Sequence, residues 1–91
     1  MNKHYWVYIL HCSNNSFYTG YTTDLEKRFQ THLKGTASKY TRSFKPLRIV
    51  FNLKIDNKSL AMKIERNIKK LSHSQKEKLI ASPQDYLAIL N

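Results

Sequence analysis

Tyr5-Trp6-Val7-Tyr8-Ile9-Leu10-His11-Cys12-Ser13-Asn14-Asn15-Ser16-Phe17-Tyr18-Thr19-Gly20-Tyr21-Thr22 places two aromatic and β-branched runs around a cluster of turn residues. Such side chains suit the pleated surface of a sheet, and Ser and Asn supply tight-turn conformations, so the stretch predicts a β-hairpin. Its register matters because side chains alternate faces along a strand. Tyr8 and Tyr18 share a face only if opposed positions sum to an even number, which needs an odd loop such as Ser13-Asn14-Asn15. The expected hairpin has that loop or an equivalent bulge; a two-residue Asn14-Asn15 turn would separate the tyrosines.

Beyond the hairpin, Thr23-Asp24-Leu25-Glu26 has the form of a capping box, with Gly35 where a helix would end. Leu25, Phe29 and Leu33 then mark one face of a helix. The stretch from Thr36 to Pro46 is polar, basic and without period, and reads as a loop. Leu47, Ile49, Phe51, Leu53 and Ile55 alternate as one face of a third strand. Leu60, Ile64, Ile68 and Leu71 mark a second amphipathic helix, Ser74 with Glu77 a short third, and Ser82-Pro83 the start of a last one. The order ββαβααα predicts an α+β domain: a small, mainly antiparallel three-stranded sheet flanked by helices, one domain over residues 1–91.

Ninety-one residues with two glycines and two prolines fit one core. The single Cys12 has no intrachain partner and fits a reducing, cytoplasmic setting, and the apolar run Tyr5–Leu10 is too short for a membrane span. The formal net charge is +10 and is concentrated: residues 34–78 hold thirteen Lys or Arg against three acids, while the flanks balance. A field of one sign favours a polyanionic partner, since each phosphate neutralised releases counterions. Charge alone does not separate DNA from RNA.

With the elements placed, Val7-Tyr8-Ile9 and Tyr18-Thr19-Gly20 on the hairpin, Arg28 and His32 on the next helix and Glu65 on the helix after strand three form an ordered set. This set resembles the GIY-YIG nuclease domain, and especially the small bacterial proteins consisting of that domain alone. Lys39-Tyr40-Thr41-Arg42, the Pro46–Phe51 strand and the Ala61–Leu71 helix extend the likeness over nearly the whole chain. The resemblance implies a metal-dependent endonuclease that hydrolyses DNA phosphodiester bonds, in processing of the repair or recombination type. By the same resemblance Tyr8 helps activate the attacking water, Tyr18 hydrogen-bonds in the site, Arg28 grips the scissile phosphate and His32 assists proton movement. Glu65 binds one Mg²⁺ or Mn²⁺, and Gly20 lets its strand approach closely. Two positions depart from the wider family: Tyr21 follows the glycine where many members have lysine, and Glu77 falls about where many have asparagine.

The residues support these roles on their own chemistry. Arginine's planar fork matches a phosphate, and four residues place Arg28 and His32 on one helical face. One carboxylate is a sparse metal site, yet Mg²⁺ commonly completes its shell with water and substrate phosphate. A phenol titrates near ~10, so a tyrosine base needs help from cations; Lys27 and Arg28 are at hand. Glu65 is also spaced to pair with Lys69, and strand tyrosines are commonly plain sheet residues. Lys27, Lys39, Arg42, Lys45, Lys69 and Lys70 are the candidates for phosphate contacts, with duplex or branched DNA as partner, RNA as the other polyanion, and a separate protein as a source of specificity. The alternative is a non-catalytic nucleic-acid-binding module that keeps the fold.

Overall fold

The hairpin forms as β1 (Tyr5–Cys12) and β2 (Phe17–Thr22) in a computed structural model that describes residues 4–90. The loop is the odd one, Ser13-Asn14-Asn15. The Cys12 N–H donates to the Ser16 carbonyl at 2.9 Å, the Asn15 N–H to the Cys12 carbonyl at 2.9 Å, and Asn15 takes the left-handed conformation at φ 64°. Asparagine tolerates that region better than most side chains, which is why this residue can close the turn. Tyr8 consequently opposes Gly20 and Leu10 opposes Tyr18, so the two tyrosines lie on one face.

β3 (Pro46–Ile55) pairs antiparallel with the other edge of β1, giving the strand order β2-β1-β3. Its five apolar residues do not line one face as alternation suggested. Ile9 opposes Phe51 but Leu10 opposes Ile49, and His11 opposes Arg48 but Cys12 opposes Pro46, so Val50 and Leu47 are extra residues in β3. Each bulge advances the alternation by one. Phe51 and Ile55 thus face one layer, Ile49 packs with Tyr8 and Leu10 on the other, and Leu47 is left 57% exposed.

Helices cover both faces. α1 (Leu25–Leu33) is capped by Asp24, whose side chain accepts from the Lys27 N–H at 3.1 Å; Thr23 is not the cap, because Asp24 itself takes the extended conformation a cap requires. Gly35 follows the helix at φ +77°, as expected of a C-terminal stop. The polar segment expected to be loop contains a one-turn helix, α2 (Lys39–Ser43), capped by Ser38. Five residues are too few to show a hydrophobic period, so its cap is its only local signature. α3 (Lys58–Lys69) and α4 (His73–Ala81) follow, the latter with a Ser72–Gln75 capping box, and Pro83–Leu90 forms a 3-10 helix.

The larger core lies between the sheet face carrying Val7, Ile9, Phe51 and Ile55 and the helix residues Ala61, Ile64, Ile68 and Leu79. On the opposite face Tyr8, Leu10 and Cys12 pack with Leu25 and Phe29 of α1 and with Tyr18 and Ile49. That second, smaller core is the floor of the site. No described helix is long and apolar enough to cross a membrane.

Candidate active site

Tyr8 lies across β2 directly over Gly20. A Cβ on residue 20 would stand 2.5 Å from the Tyr8 hydroxyl and 2.8 Å from Cζ, well inside contact distance. Residue 20 is therefore glycine for room rather than for backbone freedom, and the phenol is 2% exposed. α1 lays Leu25, Phe29 and His32 at i, i+4 and i+7 along its inward stripe, so the helix anchored by the first two carries the imidazole to the tyrosines. His32, not Leu33, is the buried end of that stripe.

His32 is engaged at both nitrogens. Nε2 is 2.8 Å from the Tyr8 hydroxyl, and Nδ1 is 2.8 Å from Thr41 Oγ1. Thr41 Oγ1 is in turn 2.8 Å from Ser38 Oγ, which accepts the Thr41 N–H at 3.0 Å. The imidazole meets both tyrosine rings edge-on, at 5.8 Å from Tyr8 and 5.1 Å from Tyr18. Tyr40 of α2 stacks over Tyr18 at 5.9 Å, its hydroxyl held by Asn14 and Ser16 of the hairpin.

Both members of the Tyr8–His32 pair are neutral at pH 7. Burial, with the adjacent Arg28 charge adding to it, pushes the His32 imidazole down to about 4. Burial raises the Tyr8 phenol well above the usual value, with Tyr18 and Glu65 acting in the same direction and Arg28 against them. The nearby cations do not produce a phenolate here, because desolvation of the charged form outweighs them.

Arg28 is exposed one turn before His32 and lines the cleft beside the site with Thr22, Asp24, Lys27 and Thr31. Lys58 lies across a second opening on Arg28 that also includes Tyr21. Glu65 of α3 is largely covered, its side chain 17% exposed, and its Oε2 is 3.4 Å from Lys69 Nζ, so the i,i+4 pairing does form. Among the described residues no group of three or more His, Cys, Asp or Glu is placed to hold a metal ion. A single hard oxygen donor whose charge is felt at Tyr8 nevertheless fits a Mg²⁺ that keeps most of its waters.

Tyr8, Tyr18, Gly20 and His32 are thus in contact, and Arg28 and Glu65 act on them electrostatically. Lys39, Arg42 and Lys45 are exposed on the α2 flank, and Lys69 and Lys70 at the end of α3. Glu77 is turned elsewhere: it stands 4.0 Å from His73 and lines a cleft with His11, Phe17 and Arg48. The half-buried neighbour Lys76 is the α4 residue that feels Tyr40 and Lys69, and burial lowers its pKa. Reading roles off the sequence missed Thr41 and Ser38; the Ser38-x-x-Thr41 spacing of an N-cap was the available signal.

Known proteins resemble this chain over most of its length. The family model described as the GIY-YIG catalytic domain matches residues 4–78. A UPF0213 protein of Cupriavidus necator is 48% identical over 77 residues, covering 85% of this chain and 84% of the relative. One from Natronomonas pharaonis is 43% identical over 81 residues, covering 89% and 95%. The solution NMR structure of a UPF0213 protein from Bacillus halodurans superposes with a TM-score of 0.57 at 39% identity, covering 92% of this chain and 93% of the other.

Proposed function

The chain belongs to the GIY-YIG family, among its UPF0213 proteins, and from that premise we propose that it is a metal-dependent endonuclease hydrolysing DNA phosphodiester bonds. The observation that carries the proposal is the buried Tyr8–His32 hydrogen bond over Gly20: a neutral phenol and a neutral imidazole in line, next to Arg28.

In this reading the attacking water gives a proton to the Tyr8 oxygen while Tyr8 passes its own to His32 Nε2. The water oxygen bonds to phosphorus, one P–O ester bond breaks, and the departing alkoxide takes a proton from solvent water while His32 later returns its own to solvent. Arg28 holds two non-bridging phosphate oxygens and stabilises the charge that grows on them. His32 is a weak base in the free protein, but the phosphate's negative charge opposes that of Arg28 and raises its proton affinity. Tyr18 walls the imidazole, its ring meeting that of His32 edge-on. Glu65 would hold a Mg²⁺ or Mn²⁺, which supplies charge neutralisation at the phosphate and leaving oxygen.

The proposal extends to duplex or branched DNA as substrate, with RNA and a specificity-supplying protein as further partners, acting in a cytoplasmic repair or recombination setting. Lys27, Lys39, Arg42, Lys45, Lys69 and Lys70 would track the phosphate backbone. A second reading, a binding module without cleavage, is favoured by one observation: the single carboxylate of the site is already paired with Lys69.

Plasmid nicking and cleavage of labelled duplex, branched and single-stranded DNA in Mg²⁺, Mn²⁺ or EDTA decide between them. Metal-dependent cleavage reduced about 10²- to 10⁴-fold in Tyr8→Phe, and lost in Glu65→Ala, supports the nuclease. Salt-sensitive binding by all three proteins without cleavage supports the module.

A further inference from the structure

We propose that Thr41, backed by Ser38, is a positioning residue that fixes the proton of His32 on Nδ1 and so leaves Nε2 free to receive the Tyr8 proton. The inference rests on the reading of Tyr8 and His32 as the proton path. A neutral imidazole donates at one nitrogen and accepts at the other, and here both are 2.8 Å from a hydroxyl. Two polarities of the chain are therefore conceivable, and the buried donors choose between them.

With the proton on Nε2, His32 would donate to Tyr8, and the Tyr8 O–H would need another acceptor. Among the described residues His32 is the hydrogen-bond partner of that hydroxyl, and a buried donor left without an acceptor loses its solvation with nothing in return. With the proton on Nδ1 every donor is used. Tyr8 O–H donates to Nε2, Nδ1–H donates to Thr41 Oγ1, and the Thr41 hydroxyl donates to Ser38 Oγ at 2.8 Å. Ser38 Oγ also accepts the Thr41 N–H, and half-buried Ser38 keeps its own proton near solvent.

The same polarity is the one that works chemically. An Nε2–H would point a donor at Tyr8 and block the transfer, whereas the Nε2 lone pair receives the phenol proton as Tyr8 takes one from water. After transfer the imidazolium donates at both nitrogens, and Thr41 Oγ1 still accepts. Because the second partner is a neutral hydroxyl rather than a carboxylate, nothing at Nδ1 holds His32 in its charged form before substrate arrives. Thr41 is itself 2% exposed and β-branched, which restricts its rotamer, and the Ser38 hydroxyl that ends the chain also caps α2. The short helix is thereby tied to the site rather than merely adjacent to it.

The test is ¹⁵N imidazole NMR of His32 at neutral pH in the wild type, Thr41→Ser and Thr41→Val, run beside cleavage kinetics. The first two proteins should show protonated Nδ1 and bare Nε2; Thr41→Val, which keeps the shape but removes the acceptor, strands one donor in either tautomer and so should shift the proton towards Nε2. Cleavage by Thr41→Val should fall about 10- to 100-fold in kcat with KM unchanged, and Thr41→Ser should stay within about threefold of wild type. An Nε2–H tautomer in the wild type overturns the proposal, as does Thr41→Val keeping either the Nδ1–H tautomer or full kcat. If Thr41→Val does not fold, the wild-type tautomer decides alone. The expected tautomers in a protein that cleaves nothing would sink the nuclease reading and leave the assignment of His32 standing.

Discussion

The Tyr8 hydroxyl sits where a side chain on residue 20 would have to go, so one methyl group at that position is enough to displace it. Gly20→Ala puts a Cβ 2.5 Å from that hydroxyl, and the phenol must swing off His32 to relieve it. Cleavage by Gly20→Ala should drop at least about 100-fold, while stability falls by about 1–3 kcal/mol, the usual range for overpacking; steady-state kinetics and urea unfolding read the two separately. His32 carries a second prediction. The unfolded imidazole titrates near 6.5 and the folded one near 4, so between these values the unfolded chain binds a proton that the folded chain excludes. Stability should be level above about pH 6.5, fall as pH is lowered towards 4, and level off below. Urea unfolding across this range should show the slope in the wild type and its loss in His32→Asn.

At the scale of elements, the hairpin loop decides which face Tyr18 occupies. Ser13-Asn14-Asn15 closes only because Asn15 adopts φ 64°, a region that disfavours most side chains by roughly 1–2 kcal/mol. Asn15→Ala should therefore destabilise the protein by about 1 kcal/mol in denaturant unfolding, and Asn15→Gly should not. The odd loop was legible beforehand only on the condition that Tyr8 and Tyr18 share a face, since parity then excludes a two-residue turn. The bulges at Val50 and Leu47 were not, since an apolar residue every second position looks the same whether or not the strand slips. α2 was hidden for a different reason: a single turn is held by its cap and by Thr41 beneath His32, not by a periodic apolar face.

Across the whole molecule, two helical layers clamp one thin sheet. The layer with Ala61, Ile64 and Ile68 supplies most of the apolar core, and the thinner α1–α2 layer covers the candidate site. Lys39, Arg42 and Lys45 extend the positive field on that second side, exposed and close to the site through α2. Replacing Lys39 and Arg42 together by Gln should weaken DNA binding at every sequence tested and shallow the slope of log K against log salt by about 1.4–1.8, since each lost phosphate contact removes roughly 0.7–0.9. Fluorescence anisotropy over a salt series measures it; an unchanged slope would mean that DNA follows a different face.

The three strands, the two longer amphipathic helices, the hairpin, the buildup of charge between residues 34 and 78 and the ordered set Tyr8, Tyr18, Arg28, His32 and Glu65 were all determined by the sequence. Each is written in local spacing or composition. Three things were decided only by tertiary structure. Tyr8 is too buried to be a phenolate, because its desolvation depends on α1 closing over the sheet. Glu65 meets Lys69 while its charge still reaches Tyr8, because the fold packs α3 against β1 and β2, which no local spacing specifies. Thr41 completes the hydrogen-bond chain of His32, because α2 packs against α1 and so brings its buried hydroxyl to Nδ1.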